Sequence, residues 1–536
     1  MRIWLLVLGL ITASGCATTP AQTPPQARMP LVVMIVVDQM RTDYLDRGQP
    51  HFTAGLRRLT SEGAWFHRAA YPYLNTITCA GHSTISTGAL PYHHGMVLNS
   101  WWDRSTGRPK PCTSDTTVRN IAYAGKVTGG DSARSLLVPT LAERLRAQTG
   151  GRVVAMSLKP RSAIPLVGHS ATSVVWYDDQ GGWTTSTAFT SKKLEWLDKF
   201  VAANAVTADA GKTWERTLPV TAYQGADDGP GERFPQGWTR TFPHVLNQAG
   251  AGFTTQWQRS PFADEYLGRM AAASVDALGL GRGPGTDFLA LSFSSLDLVG
   301  HQFGPASHEV QDMVVRLDRT IGALLDHLDA AVGRGRYIVA LSSDHGAGPL
   351  PEQTPGSGRQ TGDQSLAAIN RALVPFLGEG KHAIHAAYTD LYLAPGVMKT
   401  LIADPKASAA VLEALKGMPG VAHAFRGDEI GRPETRTDPD PVKRAAALSY
   451  HAGRSGDLII VPKEGWMLSS TSAATHGTLY WHDQQVPVIF YGPGVSAGRR
   501  EMAATPADIA PTLGALAGVP FAAHDGRPLV MFTAGR

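Results

Sequence analysis

Short apolar runs that end in polar or charged residues alternate with amphipathic segments along most of this chain. The apolar runs lie at residues 30–38, 153–158, 287–297, 336–344 and 486–491. Continuous apolar runs of this length are typical of strands buried in a parallel sheet. Helical patterns lie between or after them, at residues 136–149, 262–280, 309–333 and 506–518. This alternation predicts an α/β fold with a mostly parallel central sheet flanked by helices.

Two regions interrupt the alternation. Residues 178–261 are polar, rich in Thr, Gly and Trp, and carry no long helical pattern. Residues 386–441 mix short strand patterns with one helical pattern at residues 407–418. We interpret both regions as insertions in one catalytic domain that covers residues 30–536, and we expect them to form a cap beside the functional site.

Composition narrows the class of protein. Hydrophobic residues make up 43% of the 536 positions and charged residues 18%, so a sizeable core is expected. Lys plus Arg number 49 and Asp plus Glu number 45, and no basic run stands out. Nucleic acid is therefore not expected as a required partner. Any preference for anionic substrates should come from a local site. Nothing in the sequence indicates the oligomeric state.

The N-terminus has the pattern of an export signal. Arg2 is followed by an apolar stretch at residues 3–13 and by the small residues Ser14-Gly15-Cys16-Ala17. Residues 1–16 resemble the signal of a bacterial lipoprotein, in which Cys16 would carry the lipid anchor; an ordinary signal peptide is the alternative. Residues 17–29 follow as a flexible tether. These patterns predict export to the periplasm or to the outer membrane of a bacterium.

Six short motifs place polar side chains at or just after the predicted strand ends. They are Val36-Val37-Asp38, Thr78-Cys79-Ala80-Gly81-His82, Lys159-Pro160-Arg161, Asp297-Leu298-Val299-Gly300-His301, Asp344-His345-Gly346 and Thr475-His476-Gly477. In parallel sheets, ligands bind beyond the carboxyl ends of the strands. The motifs are therefore expected to meet at one edge of the sheet.

The residue types and spacings in these motifs suit metal binding. Asp297 and His301 are four residues apart, which puts both side chains on one face of a helix. Asp344 and His345 are adjacent and can reach one metal only where the strand breaks, as Gly346 allows. Each motif taken alone also fits an ordinary turn or a surface pair.

A hydroxyl and two cations complete the candidate chemistry. Thr78 precedes a small-residue stretch that can start a helix, where a developing alkoxide is favoured; the alternative is a helix N-cap. Lys159 and Arg161 follow a strand with i, i+2 spacing, which predicts that both lie on one face, with Pro160 stiffening the connection. Such a pair can clamp a phosphoryl group.

In order and residue type, these motifs resemble the alkaline phosphatase superfamily, and Lys159-Pro160-Arg161 resembles its phosphate-irrepressible, threonine-nucleophile branch (PafA-like). The resemblance implies two Zn²⁺ ions and hydrolysis of small phosphate monoesters through a phosphothreonine on Thr78, with release of inorganic phosphate. It implies that Asn99 binds phosphate together with Lys159 and Arg161. It assigns one zinc to Asp38, Thr78, Asp344 and His345, and the other to Asp297, His301 and His476.

A charge count and the competing functions complete the interpretation. Three aspartates and a threonine alkoxide balance two Zn²⁺ ions, so holding a dianionic monoester requires the extra cations Lys159 and Arg161. A phosphodiesterase or nucleotide pyrophosphatase on the same metals is the alternative, and such sites lack this cationic pair. A sulfatase is disfavoured because neither Cys79 nor Cys112 opens a Cys-x-Pro-x-Arg motif. An inactive metal-binding lipoprotein would not need the complete set of residues.

Two cysteines remain after the predicted signal. Cys79 and Cys112 are able to pair in an oxidising compartment, but the sequence does not show their geometry. Cys79 is also a departure from the family pattern, and its place beside Thr78 is expected to make activity sensitive to thiol reagents.

Overall fold

The computed structural model of this protein describes residues 28–531. The strands are β1 (Leu31–Val37), β2 (Ala64–Phe66), β3 (Ser100–Asp103), β4 (Arg108–Pro111), β5 (Asn120–Ala122), β6 (Val153–Ser157), β7 (Ser173–Asp178), β8 (Gly182–Ser186), β9 (Thr213–Trp214), β10 (His244–Val245), β11 (Asp287–Phe293), β12 (Tyr337–Ser342), β13 (Ala383–Ala387), β14 (Asp390–Leu393), β15 (Val421–Arg426), β16 (Leu458–Pro462), β17 (Val488–Tyr491) and β18 (Gly498–Arg500). The predicted signal peptide, Cys16 and most of the predicted tether lie outside the described residues.

The α-helices are α1 (Thr42–Gly48), α2 (Gly55–Glu62), α3 (Thr78–Thr87), α4 (Pro91–His94), α5 (Leu141–Thr149), α6 (Pro160–Val167), α7 (Glu195–Ala203), α8 (Phe253–Gln258), α9 (Pro261–Leu278), α10 (Ser295–Phe303), α11 (His308–Leu328), α12 (Gly362–Leu377), α13 (Val397–Ala403), α14 (Pro405–Lys416), α15 (Gly427–Ile430), α16 (Pro441–Ser449), α17 (Trp481–Gln484) and α18 (Ile509–Leu516). Between residues 28 and 531, none of them has the length and apolarity needed to cross a membrane.

A ten-stranded sheet organises the chain, in the order β18-β2-β17-β12-β1-β11-β6-β7-β8-β5. The five central strands, from β12 to β7, are parallel to one another. Antiparallel pairs join β17 to β12 and β8 to β7 on the two sides. The predicted α/β fold with a parallel centre and flanking helices is confirmed, and the sheet is mixed at its edges.

The central strands are apolar because both of their faces are covered. Every residue of β1 is buried, and its side chains alternate between two cores. Val32, Met34 and Val36 belong to the core that also contains residues of α3, α5, α6 and α18. Leu31, Val33, Ile35 and Val37 belong to the core that also contains residues of α2, α9, α10 and α11. One buried strand therefore separates two helical layers.

Element boundaries differ from the sequence pattern where local chemistry decides them. The helix predicted over 136–149 begins at Leu141, because Thr140 and Glu143 form a capping box there. The helix predicted over 309–333 ends as an α-helix at Leu328 and continues as a π turn over Asp329–Gly333. The run at 486–491 forms β17, which is antiparallel, since an apolar run carries no information about strand direction.

The two interrupting regions have their own small sheets. Within 178–261, β9 pairs with β10, and Trp214 and Trp257 join the core that lines the α9 and α11 side of the large sheet. Around 386–441, β13, β14, β16 and β15 form a four-stranded sheet with an apolar core that includes residues of α12 and α14. That sheet begins before residue 386 and ends after residue 441. The division into one domain with two insertions stays a prediction.

Candidate active site

The carboxyl ends of three central strands deliver polar side chains to one edge of the sheet. Asp38 directly follows β1, and its backbone N–H donates to the carbonyl of Phe293, the last residue of β11, at 2.9 Å. Asp344 and His345 follow the end of β12 by two and three residues. Asp297 lies in the first turn of α10, which begins just after β11. The strand-end placement brings the predicted ligand motifs together.

These residues form two neighbouring clusters, and within each cluster the ligand atoms lie within 4.8 Å of one another. In the first, His345 Nε2 lies 3.4 Å from Asp38 Oδ1 and 3.3 Å from Asp344 Oδ2. In the second, Asp297 Oδ1 lies 3.2 Å from His301 Nε2 and 3.7 Å from His476 Nε2. The ring of His476 stacks on that of His345 at a centroid separation of 3.4 Å, so the clusters are in contact.

The three histidines are oriented by hydrogen bonds to backbone carbonyls. The bonds are His301 Nδ1 to Ala474 O (2.8 Å), His345 Nδ1 to Gly346 O (3.0 Å) and His476 Nδ1 to Thr76 O (2.9 Å). A carbonyl only accepts, so each Nδ1 carries the hydrogen, and in a neutral ring Nε2 keeps its lone pair. Each lone pair therefore faces carboxylate oxygens, an arrangement that is favourable when a cation lies between them.

The burial of the carboxylates also favours a cation between the side chains of each cluster. Asp38, Asp297 and Asp344 are at most 1% exposed. Burial, and after it the charges of Asp297 and Asp344, raise the pKa of Asp38 to about 7. Among residues 28–531, no hydrogen-bond donor reaches the buried Asp38 Oδ1, which is unfavourable for an ionised group. Imidazole and carboxylate donors fit Zn²⁺ in both clusters.

Thr78 is the first residue of α3, and its Oγ1 lies 3.4 Å from Nε2 of His345. The residue that caps this helix is Ile77, and it makes no side-chain capping bond. The N-cap alternative for Thr78 is therefore wrong. Thr78 is 1% exposed. Its hydroxyl lies beside the first cluster, at the positive end of α3.

Lys159 and Arg161 differ in their placement from the predicted arrangement. Lys159 caps α6 and Arg161 is the second residue of that helix, after Pro160, so the argument from alternating strand faces does not apply. Pro160 favours a helix start here, because its missing N–H is not needed at the first helical position. Lys159 Nζ lies 2.6 Å from Asp38 Oδ2 and 2.5 Å from Asp297 Oδ2, which links the two clusters.

Arg161 and Asn99 lie further from the clusters. Arg161 Nε is buried and has no hydrogen-bond partner in the described part of the chain. Burial and the nearby charge of Arg161 lower the pKa of Lys159, but the charges of Asp297 and Asp38 outweigh them and raise it. Asn99 Oδ1 accepts from the backbone N–H of Cys79, the residue after Thr78, at 2.8 Å. Among residues 28–531, neither side chain hydrogen-bonds to a predicted ligand. The roles assigned to all of these residues stay predictions.

The two cysteines of the described chain form a disulfide, Cys79–Cys112. Both are buried, at 0% and 1% exposure. Cys79 therefore presents no free thiol beside Thr78, and the sensitivity of activity to thiol reagents stays a prediction. Residues 33 apart gave no sign of their spatial proximity.

Two further residues contact the clusters, Gln39 and His82, and the sequence analysis assigned neither of them a role. Gln39 Nε2 donates to Asp297 Oδ1 at 2.7 Å, and Gln39 N donates to Asp344 Oδ1 at 3.2 Å. His82 Nδ1 lies 3.1 Å from Asp344 Oδ2 and 2.9 Å from Thr78 O. The i, i+4 spacing of His82 from Thr78 on one helix was a signal for its position. Gln39 gave no such signal.

Comparison with known proteins places this geometry in a family context. The family model "Type I phosphodiesterase / nucleotide pyrophosphatase" matches residues 32–485. The alkaline phosphatase PhoV of Synechococcus elongatus is 32% identical over 96% of this chain and 96% of its own length.

Solved structures agree with the sequence comparison. The alkaline phosphatase PafA of Elizabethkingia meningoseptica is 31% identical over 97% of this chain and 96% of its own. The crystal structure of wild-type PafA superposes with a TM-score of 0.86 at 31% identity, covering 94% of this chain and 99% of that one. A PafA variant altered at one threonine, one asparagine, one lysine and one arginine has a TM-score of 0.85 at 30% identity, covering 94% and 98% of the two chains.

Proposed function

This chain belongs to the type I phosphodiesterase / nucleotide pyrophosphatase family of the alkaline phosphatase superfamily, in the PafA-like branch, and we propose that it hydrolyses phosphate monoesters with two bound zinc ions and Thr78 as nucleophile. The family assignment confirms the resemblance seen in the motifs. The similar alkaline phosphatases support a phosphomonoesterase. The metal, the nucleophile and the phosphothreonine are the parts that we propose.

The observation that carries the proposal is the orientation of the histidines. Nε2 of His345, His301 and His476 faces buried carboxylate oxygens at 3.2–3.7 Å, while Nδ1 is engaged elsewhere. Asp38, Asp344 and His345, with Thr78, would hold one zinc; Asp297, His301 and His476 would hold the other. Bound zinc supplies charge neutralisation and lowers the pKa of a nearby hydroxyl or water.

Thr78 is placed to transfer the phosphoryl group. Its Oγ1 attacks phosphorus as the hydroxyl proton passes to solvent water, and the bond from phosphorus to the ester oxygen breaks on the opposite side. The departing oxygen takes a proton from solvent water and leaves as the alcohol. A water molecule then attacks the phosphothreonine, restores the Thr78 hydroxyl and releases inorganic phosphate. Helix α3 begins at Thr78 and helix α6 at Pro160. The N-terminus of each helix favours a bound anionic group.

Lys159 and Arg161 support a preference for monoesters. Lys159 pairs with two predicted ligand carboxylates in this structure, and its ammonium becomes available to a phosphoryl group once bound cations neutralise them. Arg161, the second residue of α6, offers a second cation. The PafA variant was altered at a threonine, an asparagine, a lysine and an arginine. These are the same residue types as Thr78, Asn99, Lys159 and Arg161, which is a further support for this set.

A phosphodiesterase or nucleotide pyrophosphatase is the second candidate, because the matching family model carries those activities in its description. A diester has one fewer ionisable oxygen than a monoester, so its transition state presents less negative charge to Lys159 and Arg161. The cationic pair therefore favours the monoesterase.

The deciding experiment measures kcat/KM of the purified protein on an aryl phosphate monoester and on the matching diester, beside zinc content. We expect about two zinc ions per chain and faster monoester hydrolysis. Lys159→Ala or Arg161→Ala should lower monoester kcat/KM by on the order of 10²–10³, or about 3–4 kcal/mol. Diester hydrolysis should fall much less.

Controls separate substrate binding from support of the metal clusters. Lys406→Ala removes an exposed cation at the start of α14 and should change neither rate. Zinc content should stay at the wild-type level in Arg161→Ala. Equal losses on the two substrates would assign the pair a general role, and a wild type that prefers diesters or works without metal would overturn the proposal.

We further propose that the protein is exported and carries a lipid anchor at Cys16, and that small phosphate monoesters are its substrates without a nucleic-acid partner. Export rests on the pattern of residues 1–16, and the balanced composition supports the absence of a nucleic-acid partner.

A further inference from the structure

Asn99 is held between the two halves of the disulfide. It directly precedes β3, and Cys112 directly follows β4. The two strands are antiparallel neighbours, with Ser100 opposite Pro111, so Asn99 and Cys112 face each other at the open end of the hairpin. Cys112 N–H donates to Asn99 O at 3.0 Å, and Cys79 N–H donates to Asn99 Oδ1 at 2.8 Å. The Cys79–Cys112 bond closes this three-residue ring covalently.

The ring also fixes which end of the Asn99 amide is free. A backbone N–H can only donate, so the atom that meets Cys79 N is the amide oxygen. The two Nδ2 hydrogens remain as the donors that Asn99 can offer to an anion. Cys79 directly follows Thr78 in the chain. The hydrogen bond to Cys79 therefore fixes the position of the Asn99 donors relative to the proposed nucleophile.

We propose that the Cys79–Cys112 disulfide is a positioning device for Asn99, which fixes its amide relative to Thr78 so that Nδ2 donates to the phosphoryl group. This inference rests on the proposed function. Cys79 and Cys112 touch no reacting atom and act only through Asn99.

The rest of the hairpin explains why the link is needed at its open end. The hairpin is also secured by Trp101, which is buried close to Asn99, and at its turn by Arg104, whose guanidinium donates to Asp457 at 3.0 Å. β4 is largely exposed. Without the disulfide, the hairpin keeps these anchors, while the Asn99 amide is tied to Cys79 by the single hydrogen bond from Cys79 N–H. A displacement of about 1 Å at a substrate-positioning group can lower a rate by on the order of 10².

The test is a double-mutant cycle with Cys79→Ala/Cys112→Ala and Asn99→Ala. Alanine is chosen because a serine hydroxyl would be buried at both positions. The paired cysteine variant should lower monoester kcat/KM by roughly 10- to 100-fold, mainly through KM, with zinc content unchanged. In the Asn99→Ala background the same two changes should lower it by less than about 2-fold, since the group they position is gone.

A second readout does not depend on activity. Hydrogen exchange of the backbone amides at residues 96–115 should be faster in the paired cysteine variant than in wild type, and exchange in β1 should be unchanged. Val411→Ala, in the core of the four-stranded sheet, lowers stability away from the site and should leave kcat/KM unchanged.

The outcomes separate this inference from the proposed function. Unchanged kcat/KM and unchanged exchange at 96–115, or an equal loss in both Asn99 backgrounds, would overturn the positioning role and leave the monoesterase intact. A wild type without monoesterase activity would refute the proposed function, and the positioning role with it, even where the exchange result shows that the disulfide holds the hairpin.

Discussion

Gln39 is the residue at which a small change should have the clearest effect on the two clusters. It is 1% exposed, and its φ of 68° lies in the left-handed region, which non-glycine residues rarely adopt. Its side-chain amide donates to Asp297 and its backbone N–H to Asp344. One strained residue therefore connects a carboxylate of each cluster, and strain of this kind is often found at functional sites.

Two opposing contributions determine how much a substitution at Gln39 changes the stability of the protein. A hydrogen bond to a charged group contributes about 1.5–3 kcal/mol, and a left-handed conformation costs a non-glycine residue about 1–2 kcal/mol. Gln39→Ala loses the bond and keeps the strain, whereas Gln39→Gly loses the bond and relieves the strain. We expect Gln39→Ala to be the less stable variant by about 1 kcal/mol, although both should weaken zinc binding at the Asp297 cluster by roughly 10-fold or more.

A substitution at Gly300 tests the contact between Gln39 and Asp297 independently. A Cβ added at Gly300 would lie 1.7 Å from Gln39 Oε1, and the three nearest atoms all belong to Gln39. Gly300→Ala should push the amide away from Asp297 and reproduce the loss of Gln39→Ala. In a Gln39→Gly background, Gly300→Ala should change little, so the two substitutions should couple by at least about 1 kcal/mol.

The measurement is zinc affinity by competition with a chelator, together with urea unfolding of the metal-free protein. Gly268→Ala is the matched control, because its Cβ would meet only Thr320 on α11, away from the clusters. If Gly300→Ala leaves zinc affinity unchanged, or has the same effect in both Gln39 backgrounds, the amide does not support Asp297 in the way described.

Three further predictions follow from other parts of the molecule. Burial raises the pKa of Glu309 to about 8 from an ordinary 4.5, so the native state holds a proton that the unfolded state loses. Stability should fall as pH rises from about 4.5 to 8, by at most about 5 kcal/mol, and urea unfolding of Glu309→Gln should show a flatter profile. Thr78→Ala should bind zinc but lose most turnover, Thr78→Ser should keep some, and acid quench with mass spectrometry should place phosphate on Thr78 in wild type. Fatty-acid labelling should mark wild type and not Cys16→Ser; an unlabelled exported protein would favour an ordinary signal peptide.

Much of the site was predictable because its residues occupy positions that the strand pattern defines. Asp38 and Asp344 follow apolar runs, and parallel strands place their carboxyl ends at one edge. Asp297 and His301 have a helical spacing that puts both on one side. In each case the relation between sequence and position is local, and only the meeting of the strands is long-range.

Other features depend on contacts that a single sequence does not encode locally. Cys79 and Cys112 are 33 residues apart, and only the hairpin geometry brings them together. Gln39 follows a strand like any loop residue, and its conformation is set by the two carboxylates that it contacts. Lys159 and Arg161 were assigned to the right region with the wrong local geometry, because Pro160 fits a stiff connection and a helix start equally well.

The correction at Lys159 changes the physical argument for substrate charge. As the cap of α6, its ammonium shares a helix N-terminus with Arg161, so side-chain charge and helix dipole act in the same direction. Both are anchored to β6, whose neighbour β11 leads to Asp297. The cations therefore belong to the scaffold that carries the proposed metal ligands, and not to residues 178–261 or 386–441. A preference for monoesters over diesters would then depend on the few residues after one strand, while the sheet and the two clusters stay the same.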